Sequence, residues 1–143
     1  MAAKTLTDIA EKMRGIDIAI LSTHTDGGQI ASRPMSNNGE VTYDGDSYYF
    51  TYEKSRAVAD IGRDAKVSLG FTSGDGIFKS GIYVAVEGNA ELIRDKAAFK
   101  KHWTPDIDKW FEQGIDTPGI VLIKVHASRI KYWQGEDEGE IKL

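Results

Sequence analysis

Leu6, Ile9, Ala10 and Met13 stand at the i, i+3, i+4, i+7 spacing of one helix face, between Thr5, a capping side chain, and Gly15, a helix terminator. The spacing predicts a short first helix. From residue 17 the pattern changes: DIAILST, residues 17–23, reads as a buried strand, and Asp26-Gly27-Gly28 supplies the positive-φ residues of a tight hairpin turn. A second strand follows over residues 29–37. It carries Pro34, which cannot donate a ladder hydrogen bond and so marks an edge or a bulge. Asn38-Gly39 and Asp44-Gly45 are two further turn signals; they bracket a very short strand around Val41 and launch SYYFT, residues 47–51, as the next.

FTYEKSRAVADI, residues 50–61, runs from that strand into a helix, and KVSLGFT, residues 66–72, is the next strand. SGDGIFKSG, residues 73–81, reads as a loop rich in glycine and serine. YVAVEGNAEL, residues 83–92, is a longer strand, with Gly88 placed for a bulge that lets a sheet curl. Residues 95–102 read as helical, and Thr104-Pro105 starts another helix through Trp110-Phe111 to Gly114. GIVLIKV (119–125) and IKYW (130–133) close the chain as two strands. About seven or eight short strands with a few short helices describe a mainly β fold, a small closed or nearly closed antiparallel barrel. No repeat, low-complexity segment or linker interrupts it, so one domain is expected over residues 1–143.

Composition narrows the function classes. A chain of 143 residues can bury roughly 70% of its unfolded surface, enough for one core. It has no apolar run of the ~18 residues a membrane span needs and no secretion pattern at its N-terminus, so no membrane anchor and a cytoplasmic location are expected. Without cysteine there is no disulfide framework, thiolate metal site or thiol nucleophile. The net charge of −4 argues against a nucleic-acid face, so any anion site must be local. The acidic end GEDEGEIKL, with Glu136, Asp137, Glu138 and Glu140, reads as a solvated tail. His24, His102 and His126 lack the i, i+4 spacing of a helical metal pair, and no metal site is expected. There is also no G-x-S-x-G elbow, no P-loop and no G-x-G-x-x-G.

What remains is the strand-to-helix junction. A helix N-terminus presents unpaired N–H groups and partial positive charge, which suits a phosphate. Ser55 can begin the helix, whereas Arg56 in the first turn sits where the dipole disfavours a cation; Lys54 adds a second charge and Thr51 a hydroxyl. These residues fit either an anion grip or a solvated cap with incidental cations. A second cluster, IASRPMSNN at 30–38, sets Arg33 among small residues, with Pro34 and Met35 breaking the ladder and freeing backbone groups for a flat ligand. An edge proline guarding against aggregation is the other reading. The third cluster is aromatic: Trp103, Trp110-Phe111 and Tyr132-Trp133, which suit a core, a ring stack or a dimer interface.

Together these clusters resemble the pyridoxamine 5′-phosphate oxidase-like FMN-binding split barrels, and most closely their bacterial general stress protein branch. YFTYEKSRAVADIGRDAKVSLGF (49–71) is similar to the oxidase pattern of a strand ending in Tyr-Thr, a Ser-Arg-Lys phosphate grip, a helix and a strand reading Val-Ser-Leu. ASRIKYWQG (127–135) is similar to the segment carrying a tryptophan near the flavin, YVAVEGNAEL fits the long strand, and HWTPDIDKWFEQGIDTPGIVLIKV (102–125) resembles the stress protein branch. The resemblance covers nearly the whole chain and implies an antiparallel, Greek-key type split barrel. It implies FMN as cofactor, with FAD as the alternative, and a phosphate held by Arg56 and Ser55. Phe50 and Thr51 would lie against the flavin, and Arg33, Pro34, Met35 and Ser36 would follow its ring and ribityl chain, largely through backbone groups. Trp133 would reach the flavin of a partner subunit, in a homodimer whose two sites lie at the interface.

Departures from the oxidase pattern limit what else is carried over. Ala57 stands where a second phosphate cation is expected, with Lys54 on the other side as a substitute; Asn38 replaces a lysine and Tyr83 a glutamine. The basic Arg-x-His-Asp-Arg segment after the tryptophan is replaced by EDEGEIKL, so carboxylates would meet a substrate phosphate and oppose it. Pyridoxamine phosphate oxidation is therefore not expected. The leading expectation is an FMN-binding flavoprotein of the general stress protein type, a low-activity oxidoreductase accepting electrons from a small-molecule donor such as a reduced nicotinamide. The alternatives are a non-catalytic flavin carrier or redox sensor and a deazaflavin-dependent reductase; no acid/base pair stands out that would mark a catalytic residue.

Overall fold

Thr5 and Asp8 close a reciprocal capping box: Asp8 N–H donates to Thr5 Oγ1 at 3.2 Å and Thr5 N–H to Asp8 Oδ2 at 2.9 Å. This starts helix α1 (Leu6–Met13), which buries Ile9, Ala10 and Met13. The computed structural model describes residues 4–37, 41–73 and 81–143. After α1 come strands β1 (Ile18–His24), β2 (Ile30–Ser36) and β3 (Asp46–Tyr52), helix α2 (Arg56–Arg63), and strands β4 (Lys66–Thr72) and β5 (Tyr83–Ile93). Helix α3 (Lys96–His102), two short 3₁₀ turns, β6 (Ile120–Gln134) and β7 (Asp137–Lys142) complete the chain.

The seven strands form one antiparallel sheet, six of them in the order β2-β1-β4-β5-β6-β3 and β7 paired to β6. β6 is long enough to hold β5 on one side and both β3 and β7, end to end, on the other. This is the split-barrel architecture. The sheet curls around a core that includes Leu21, Tyr49, Leu69, Phe71, Val86 and Ile130, but among the described residues β2 and β3 do not pair, so the barrel stays open between them. A smaller cluster of Phe99, Phe111, Ile120 and Leu122 packs α3 and the 3₁₀ turns against the opposite face of β3 and β6.

Several elements differ from the sequence reading. The two closing strands expected at 119–125 and 130–133 are the single strand β6. A bulge in β6, where Ser128 is the extra residue opposite Glu87 and Gly88 of β5, leaves Ser128 and Arg129 both exposed, and this interruption of the alternation disguises the strand's continuity. The acidic tail is a strand, because pairing with β6 uses backbone groups, and Arg129 offsets Glu140 at 3.3 Å. The helix expected from Thr104 to Gly114 shrinks to 3₁₀ turns at Pro105–Lys109 and Gly114–Asp116, since Thr104 makes no capping bond. Val41 is 60% exposed and in no strand. Pro34 lies in the edge strand as expected, yet the β1–β2 register runs unshifted past it, so Pro34 and Met35 do not break that ladder. The turn and the residue substitution read at Asn38-Gly39, and residues 74–80 of the glycine-rich loop, lie outside the described residues.

Candidate functional site

Two backbone bonds fix which residues of β2 face its partner. Asn37 N–H donates to Asp17 C=O at 2.6 Å and Thr25 N–H to Gln29 C=O at 2.8 Å, so the odd-numbered residues of β2 are tied to β1. Pro34 and Ser36 therefore turn their backbone groups to the open edge, where the missing N–H of Pro34 costs no ladder bond. On β3 the same reasoning applies: Glu53 N–H donates to Gly119 C=O at 2.6 Å and Ala127 N–H to Gly45 C=O at 2.8 Å. Tyr48 and Phe50 thus direct their N–H and C=O groups away from β6.

Between the two free edges lies a cavity of about 670 Å³, lined by Pro34, Met35 and Ser36 on one side and by Tyr48, Phe50 and Thr51 on the other. Its volume falls within the ~300–1,000 Å³ usual for small-molecule and cofactor sites. The α3 region supplies a further wall through His102, Ile107 and Trp110, the last 57% exposed. His102 stacks on Tyr48 with ring centroids 3.7 Å apart, and burial, then the charges of Lys101 and Lys124, hold its pKa below the ordinary histidine value. A neutral imidazole is thus part of the wall at pH 7. Sequence reading missed this ring, because its partner on β3 is remote in the chain.

Helix α2 begins just past the Tyr52 end of the cavity. Ser55 N–H donates to Tyr52 C=O at 2.9 Å, and Ser55 Oγ accepts from Val58 N–H at 3.4 Å, the N-cap arrangement. Lys54 and Arg56 are exposed, and neither has an ion-pair or hydrogen-bond partner among the described residues. Lys54, Ser55 and Arg56 are not on the cavity wall itself.

The Arg33 side chain goes elsewhere. Its Nη1 donates to Thr23 Oγ1 at 2.9 Å and to Leu21 C=O at 3.2 Å, and its Nη2 lies 3.6 Å from Asp60 Oδ2. Asp60, 1% exposed on α2, also accepts from Thr23 Oγ1 at 2.7 Å and from Arg63 Nη2 at 2.7 Å. Burial alone would raise its pKa; the bonds from Thr23 and Arg63 and the charges of Arg63 and Arg33 outweigh that, and the carboxyl lies below its ordinary value. The Phe50 ring is likewise committed, packing edge-on against Trp103 with centroids 4.9 Å apart. What Phe50 can offer a ligand is its backbone; the backbone of Arg33, an odd-numbered residue of β2, is tied to β1.

Trp133 is not on the wall of this cavity; it lies on the outer face of the sheet near the end of β6, against Tyr83 with centroids 5.6 Å apart and with Lys131 Nζ 5.3 Å from its ring centre. The Tyr83 hydroxyl covers Gly70, where a Cβ would stand 2.8 Å from it. On the same surface Ile18 and Ile20 are 51% and 42% exposed, and Ser22 and Ser32 share a hydrogen bond at 2.7 Å. No group of three or more metal-ligating side chains occurs among the described residues, and none of their helices is long and apolar enough to cross a membrane.

Residues 4–143 match the family model described as pyridoxamine 5′-phosphate oxidase like. No curated protein sequence matches the chain. Among solved structures, a Clostridium acetobutylicum protein related to general stress protein 26 superposes with a TM-score of 0.81 at 20% identity, covering 96% of this chain and 94% of that one. General stress protein 26 of Bacillus anthracis gives 0.74 at 24% identity, over 94% and 95% of the two chains. The general stress FMN/FAD binding protein of Xanthomonas citri gives 0.74 at 21% identity, over 92% and 89%.

Proposed function

The chain belongs to the pyridoxamine 5′-phosphate oxidase-like family, and from that premise we propose that it is a homodimeric flavoprotein of the general stress protein type, holding FMN in the cavity between β2 and β3. The observation that carries this reading is the facing pair of free sheet edges, with an unpartnered arginine just beyond one end. Pro34 and Ser36 offer backbone groups to a planar ring from one side, and Tyr48 and Phe50 from the other. Thr51 lies beside them on the wall. Past Tyr52, the start of α2 offers Arg56, with Lys54 adjacent and Ser55 as cap, to the phosphate. The residues present fit the group in size, in the polarity of the walls and in the cation at the phosphate end. One similar structure carries FMN/FAD binding in its name, in keeping with FMN and with FAD as the alternative.

Bound flavin supplies the electron and hydride chemistry, and the chain supplies orientation and electrostatics. With a reduced nicotinamide or similar small molecule as donor, the protein acts as a flavin-dependent oxidoreductase of low activity. Pyridoxamine phosphate is not its substrate: β7 sets Glu138 opposite Trp133 and Glu140 opposite Lys131, so carboxylates border the tryptophan. The absorption spectrum of the purified protein, after soaking with FMN and then adding NADH or NADPH, tests the reading. A bound flavin spectrum that bleaches supports the oxidoreductase; one that persists unchanged supports a carrier or sensor; failure to retain FMN rejects the flavoprotein.

A further inference from the structure

Burying a carboxylate is costly, and α2 has no packing need for one at position 60, since Ala57, Val58 and Ile61 already form its buried face. Replacing a buried ion cluster by apolar residues is often neutral or stabilising. Asp60 therefore calls for a reason beyond stability, and its contacts supply one. Helix α2 touches both rims of the cavity: its cap is bonded to Tyr52 at the end of β3, and its Asp60 is bonded to Thr23 and paired with Arg33 of β2. Arg33 immediately precedes Pro34, whose backbone faces the opening, and Asp60 lies one helical turn after Arg56.

We propose that Asp60 is a positioning residue that fixes the spacing between the free edge of β2 and the Arg56 end of α2, so that a ligand spanning both is favoured over one that reaches only the first. Thr23 is the relay, donating to Asp60 and accepting from Arg33. Resting on the flavin reading above, this makes the preference for FMN over riboflavin depend on two buried residues that touch neither ligand.

The test is fluorescence titration of FMN and riboflavin against wild type, Asp60→Asn and Thr23→Val, with thermal melts to establish folding. The FMN-to-riboflavin affinity ratio should fall by about an order of magnitude in each folded variant, the effect outer partners have on groups they orient, while riboflavin affinity holds. An unchanged ratio, or equal weakening of both ligands, overturns the proposal. If Asp60→Asn does not fold, Thr23→Val, nearly isosteric, decides the matter on the same criteria. A wild type without any preference for FMN would instead reject the phosphate grip itself.

Discussion

Arg63 donates to the Asp60 carboxylate at 2.7 Å, whereas Arg56, at the other end of the same helix, has no partner among the described residues. The helix dipole favours a cation in the last turn and disfavours one in the first. The fold thus accounts for Arg63 twice over and for Arg56 not at all. An anionic ligand is what would make Arg56 favourable there.

Asp60 makes acid stability depend on one cluster. Its pKa lies below the ordinary value, so below about pH 5 the unfolded chain binds more protons than the folded one and stability rises with pH. The contribution is complete above the unfolded value and is lost as pH falls through the folded one. Asp60→Asn should cost about 3 kcal/mol at neutral pH, the lower end of the range for breaking a buried pair because Arg63 stays 44% exposed. Melts from pH 7 to 3 should show a flatter acid limb in the variant than in wild type; parallel limbs would contradict this.

Gly88 sets the β5–β6 bulge. A Cβ there would collide with the backbone carbonyl of His126, which a side-chain shift cannot relieve. Gly88→Ala should therefore destabilise by at least the ~1–3 kcal/mol of ordinary overpacking. Urea unfolding measures the loss, and a variant as stable as wild type would show that the bulge can move.

The exposed isoleucines of β1 predict assembly. Ile18 and Ile20 lie on the sheet surface that also carries Tyr83 and Trp133, a suitable apolar centre for a two-fold interface. Light scattering should report a dimer for wild type and a monomer for Ile20→Glu. Weakened FMN binding should accompany the monomer, because Trp133 would no longer reach the partner's site. A wild-type monomer that retains flavin would remove Trp133 from the site.

Periodicity made most of the fold legible, because each observed strand between 17 and 93 is bounded by glycine, proline or charged turns and alternates in burial, and only the strand expected at Val41 is absent. It failed where the signal depends on a partner. β7 has almost no apolar pattern because it is an edge held by backbone bonds, and the bulge hid the continuity of β6. At the site, the two candidate segments 33–36 and 50–56 could be named, but not the parity that turns Pro34, Ser36 and Phe50 outward, nor the His102 ring on Tyr48. Asp60 did leave a trace: an acid among Ala57, Val58 and Ile61 on the face expected to be buried. A carboxylate so placed needs partners, and these came from a hairpin, β1 and β2, that the sequence could not place against α2.

If Arg56 reads the phosphate of FMN, calorimetric titration of wild type and Arg56→Ala with FMN and riboflavin will separate the two proteins. A charge-assisted hydrogen bond is worth about 1.5 to 3 kcal/mol, so the variant should bind FMN roughly 10- to 150-fold more weakly. Riboflavin, which lacks the phosphate, should bind the two proteins equally, and the melting temperature without flavin should hardly change, since Arg56 is exposed and unpaired. Equal weakening of both ligands, or no change in either, would mean that Arg56 does not read the phosphate.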